Sequence, residues 1–73
     1  MITIGTLLAV KTSRSKYLYK RGEFTEKDRA GEVMTGDLVI VLQTDYHRMR
    51  RVVNVVTTNG KRGWLLVDYL TLL

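Results

Sequence analysis

Three arginines, Arg48, Arg50 and Arg51, crowd the stretch TDYHRMRR over residues 44–51, with Tyr46 and His47 beside them. A second basic group, Lys16, Lys20 and Arg21, is interleaved with Tyr17 and Tyr19. Guanidinium groups pair bidentately with carboxylate or phosphate, and tyrosine faces give contact area with little entropy to lose. That combination suits the binding of an anionic macromolecule. It does not suit catalysis. His47 is the one histidine and there is no cysteine, so the usual metal sites and activated nucleophiles have no parts to draw on. His47 reads as an exposed loop residue. Glu23, Glu26, Asp28 and Glu32 supply carboxylates, but nothing in their spacing fixes a catalytic pair. Gly60-Lys61-Arg62-Gly63 has neither the spacing nor the strand-loop-helix setting of a phosphate-binding loop. The expectation is a protein that is not an enzyme, with no cofactor and no metal.

The charge is unevenly spread along the 73 residues. The formal net charge is +5, with residues 1–21 holding five basic groups and no acid. Residues 22–46 carry a net −4, and residues 47–73 a net +4. Such segregation makes a basic patch for phosphate or for an acidic protein, while the plainer reading is a solvated surface with internal ion pairs. A chain of this length forms a single domain, 1–73, with a modest core. Met1-Ile2-Thr3-Ile4-Gly5 lacks a signal-peptide pattern and no run approaches a membrane span, so a cytoplasmic, soluble module is expected.

The elements that must position these groups are strands. Residues 52–72 read VVNVVTTNGKRGWLLVDYLTL, two β-rich runs joined by Thr58-Asn59-Gly60. A three-residue loop with Gly60 in the left-handed region sets Val53 against Leu65 on the inner face. Val55 and Thr57 then also point inward, and Asn54 lies beside Trp64 on the outer face. Residues 2–10 give a first strand, and Leu38–Gln43 a central one. Residues 11–31 form a long, exposed, two-armed loop. Within it Tyr17-Leu18-Tyr19 is an extended arm, Arg21-Gly22 a reversal, and Thr25–Asp28 a capping box that opens one helical turn ending near Gly31. Residues 43–51 are a second, polar loop, and a tight turn at 66–69 precedes a closing strand, 70–73. Five short strands without a long helix predict an all-β fold, a small closed or nearly closed barrel. Leu70, Leu72 and Leu73 either cover the barrel or pair with another copy.

The pieces Gly36-Asp37-x-Val39-x-Val41, Asn59-Gly60-Lys61-x-Gly63-Trp64 and Asp68-Tyr69-Leu70, in that order, resemble the bacterial Src-homology-3-type domain over about residues 31–72. The resemblance implies a five-stranded Src-homology-3-like barrel with a long first loop. It also implies a ligand groove between the first and second loops, floored by aromatic side chains. Small lone barrels with long basic loops are similar, too, to phage-encoded proteins. The chain departs from the family in having no proline near Leu66 and no tryptophan near Arg50, which argues against a groove for polyproline peptides. The residues expected to bind are Lys16, Tyr17, Tyr19, Lys20 and Arg21 from the first loop, Tyr46, Arg48, Arg50 and Arg51 from the second, and Trp64 and Tyr69 from the closing segment. For Trp64 and Tyr69 the plainer reading is that they only cap the core. The expected function is recognition of a protein partner, an acidic one, with nucleic acid as the alternative through stacking on tyrosines and contacts to phosphate.

Overall fold

The alternation of the Val-rich segments sets the inner face of this protein, and the ladders follow from it. The computed structural model describes residues 2–13, 16–20 and 25–73. Seven strands are present: β1 Leu7–Val10, β2 Lys16–Tyr19, β3 Arg29–Val33, β4 Leu38–His47, β5 Arg50–Thr57, β6 Arg62–Leu66 and β7 Leu70–Leu72. They form one antiparallel sheet in the order β3-β2-β6-β5-β4-β1-β7. Single 3-10 turns cover Glu26–Asp28 and Val67–Tyr69. No helix among the described residues is long and apolar enough to cross a membrane.

The hairpin between β5 and β6 has the expected register. Val53 faces Leu65 and Asn54 faces Trp64 across the ladder. Its loop is closed at both ends: the Thr57 N–H donates to the Lys61 carbonyl at 2.8 Å, and the Gly60 N–H to the Thr57 carbonyl at 3.0 Å. Gly60 has φ +86, the left-handed value that this bulged loop needs. The buried Thr57 hydroxyl is satisfied in the same loop, donating to Asn59 Oδ1 and accepting the Lys61 N–H at 3.0 Å. Asn54, half-buried, donates from Nδ2 to Gln43 Oε1 at 3.2 Å.

Inside the sheet lies one apolar cluster: Leu8, Val10, Leu18, Val33, Val39, Val41, Val53, Val55 and Leu65. Each faces inward by the period-two rule from its own strand, and small branched side chains fill the narrow interior. Ile2, Val67, Tyr69 and Leu70 pack against its margin.

Four expectations change. The strand over 2–10 begins only at Leu7, because residues 3–6 close a turn through the Thr6 N–H to the Thr3 carbonyl at 3.0 Å. The first loop is not open: its arms are β2 and β3, paired with each other from Lys16↔Val33 to Tyr19↔Arg29. These two arms raise the strand number from five to seven. The second loop is likewise a hairpin, since β4 runs on through His47 and β5 starts at Arg50. The two residues between, Arg48 and Met49, have φ of 50 and 66. Last, the sheet is not closed, for β3 and β7 remain its two edges. The all-β class stands. A single turn does form after Thr25, whose N–H and hydroxyl donate to Asp28 Oδ2 at 3.5 and 3.2 Å, but it ends at Asp28, and Gly31 lies in β3. The reversal at Arg21-Gly22 lies outside the described residues.

Candidate functional site

The first arm reaches the site because β2 pairs on both sides. Tyr19 faces Trp64 of β6, while Leu18 enters the core. Gly63 permits the approach. A Cβ there would stand 2.7 Å from the Leu18 Cβ and 3.2 Å from the Tyr19 backbone N and O. Only a residue without a side chain lets β2 lie this close to β6. From the other side, the β4–β5 hairpin extends past the sheet body and brings His47 and Arg50, a ladder pair, to the same place.

Between them is a cleft of about 520 Å³. Its first wall is Lys16, Tyr17 and Tyr19 of β2 with Arg29 of β3, and its second is His47, Arg48 and Arg50. Leu65, Leu66 and Tyr69 form the floor. The Tyr69 and Tyr17 rings each carry a cation of the protein itself. The Lys16 Nζ lies 4.6 Å from the Tyr69 ring centre, and the Arg29 Cζ 3.8 Å from that of Tyr17. Such stacking orients a cation without neutralising it.

No carboxylate among the described residues lines the cleft. Several acids are engaged with near neighbours in sequence. Asp37 accepts the Met34 N–H at 2.9 Å, Asp45 accepts the Tyr46 N–H at 2.8 Å, and Asp28 caps its own turn. Asp68 pairs with Arg50 at the rim, with both side chains more than half exposed. Among the described residues, no three His, Cys, Asp or Glu side chains come together in a way that would hold a metal ion.

Of the residues expected to bind, Lys16, Tyr17, Tyr19, Arg48, Arg50 and Tyr69 meet in the cleft. Lys20 lies past the end of β2 and outside the lining, and Arg21 lies outside the described residues. Tyr46 and Arg51 are directly opposite each other, one step along from His47 and Arg50, and alternation turns them to the other face. Tyr46 there is 70% exposed. The Arg51 guanidinium donates to the Ile2 carbonyl and fastens the N-terminal segment to β5. Trp64 is only 7% exposed, flanked by Tyr19 and Asn54 on neighbouring strands, and serves as cover rather than as an open face.

Two lining residues, Arg29 and His47, were not among the expected site residues. His47, read as an exposed loop residue, is half-buried and ends a strand. Its signal was present: extending the alternation of β4 beyond Gln43 puts 45 and 47 on one face. Arg29 had no such signal, since its strand carries no apolar alternation. Comparison with known protein families, with curated proteins and with solved structures gave no match.

Proposed function

We propose that this protein is a non-catalytic binding module that holds an acidic segment of a protein partner in the cleft between its first arm and the β4–β5 hairpin. The observation that carries this reading is the convergence of Lys16, Arg29, Arg48 and Arg50 on a tyrosine-lined cleft with no carboxylate of the described residues in its lining. A carboxylate-bearing chain entering there gains charge-assisted hydrogen bonds on both walls, and its apolar side chains meet Leu65, Leu66 and the tyrosine rings. The fold is read as a Src-homology-3-like barrel. The terminal strand β7 set against β1, and the 3-10 turn bearing Tyr69 on the cleft floor, support that reading, with the sheet left open between β3 and β7.

Nucleic acid is the weaker alternative. Sequence-tolerant binding of single strands depends on open aromatic faces. Here the rings of Tyr17 and Tyr69 already stack against Arg29 and Lys16.

The test is fluorescence anisotropy with a labelled peptide of mixed glutamate and leucine, against an unlabelled single-stranded oligonucleotide as competitor. Tyr19→Ala and Arg50→Glu should each weaken peptide binding, Arg50→Glu by about tenfold or more because it reverses a charge in the cleft. Unchanged binding by both variants would remove this face from consideration. Tighter binding of the oligonucleotide than of the peptide would favour the alternative.

A further inference from the structure

Among the described residues, two hairpin turns hold residues at positive φ, and they are built from opposite kinds of residue. The β5–β6 turn, which lines no part of the cleft, uses Asn59-Gly60, the chemistry that such backbone favours. The β4–β5 turn puts Arg48 and Met49 at φ 50 and 66, with neither glycine nor asparagine to relieve it. A two-residue hairpin with both central residues left-handed strongly prefers Asn-Gly, and long side chains there are strained. Arg48 lines the cleft. Met49 is 96% exposed, the large apolar side chain least explained by packing among the described residues. Strain held at the rim of a cleft, where relaxed residues are used elsewhere in the same chain, points to a role for the side chains themselves.

We infer that the Arg48-Met49 turn is a docking tip that reads two adjacent features of the acidic partner segment, a carboxylate by Arg48 and a neighbouring apolar side chain by Met49. This rests on the binding role of the cleft given above. The flexible, polarisable methionine adapts to apolar groups of different shape, while the planar guanidinium fixes the carboxylate. The tip therefore selects segments that are both acidic and apolar over segments that are acidic alone. The turn exchanges stability for recognition.

The test replaces the turn with relaxed chemistry, in the double variant Arg48→Asn with Met49→Gly. Thermal melting and anisotropy with the glutamate–leucine peptide are measured on the same samples. The expected result is a melting temperature higher by roughly 5 °C, from strain removed, together with an affinity lower by about tenfold. Because the variant is the better folded protein, its loss of binding is not a loss of structure. Met49→Gly alone should erase the preference for the mixed peptide over a polyglutamate of the same charge. A variant that binds the mixed peptide as the wild type does overturns this inference and leaves the cleft standing. So does a melting temperature that stays level or falls. A wild-type protein that binds neither peptide overturns the cleft reading and this inference with it.

Discussion

Asp68 pairs with Arg50, a cation of the cleft lining, and it sits where a ligand carboxylate would compete with it. Both it and Arg50 are more than half exposed, so their ion pair contributes less than about 1 kcal/mol to stability. Removing the acid leaves Arg50 to the ligand. Asp68→Asn should therefore leave the melting temperature within a few degrees of wild type while tightening the glutamate–leucine peptide several-fold at low salt. Weaker binding would mean that Asp68 holds Arg50 in its working position instead of competing for it. At this scale the sequence was informative where charge type decides the outcome, as at Arg48 and Arg50. It was poor where strand alternation decides. Arg50 and Arg51 are neighbours in sequence, yet one lines the cleft and the other ties down Ile2 on the opposite face. Composition alone makes no distinction between them.

At the scale of elements, the site depends on β2 lying against β6, and that contact depends on Gly63. Gly63→Ala would drive a methyl group to 2.7 Å from the Leu18 Cβ, with backbone of Tyr19 also in the way. Neither neighbour is the free end of a long side chain, so the strand itself must move. The expected cost is about 1–3 kcal/mol, a fall in melting temperature of several degrees for a chain of this size, with hydrogen exchange rising first in β2 and β3. Even exchange across all strands would mean that the first arm does not open separately from the body. The β5–β6 hairpin was legible down to its register because Asn-Gly, valine alternation and a single misfit residue, Asn54, agree on one answer. The arms were not legible. β3 reads Arg29-Ala30-Gly31-Glu32-Val33, with one apolar residue fit for the core, and it becomes a strand because β2 lends it a partner. That is tertiary context overriding local propensity. The β4–β5 turn was missed for a related reason, since Arg-Met is not a turn signal and its left-handed backbone is imposed by the long ladder on either side.

For the whole molecule, the charge blocks seen along the chain become a spatial arrangement. Lys16 and Arg29 meet Arg48 and Arg50 across one cleft, and two of the acids between them, Asp28 and Asp37, are bound in turns. A small domain of this size has a total stability of only about 4–10 kcal/mol, so two strained turn residues and an edge-like first arm are substantial expenditures for a fold to retain. The all-β class followed directly from the sequence. The open edges at β3 and β7 did not, because closure depends on the pairing of short end strands whose residues carry little pattern. The central claim is that an acidic protein segment occupies this cleft and no other face. Titrating isotope-labelled protein with the glutamate–leucine peptide, and following backbone amide shifts by two-dimensional NMR at low and high salt, tests it most directly. The account predicts shifts concentrated at Lys16, Tyr17, Tyr19, Arg29, His47 to Arg50 and Tyr69, shrinking as salt screens the attraction. Shifts centred instead on the exposed Leu7 and Ile40 face, or no shifts at either salt concentration, would contradict it.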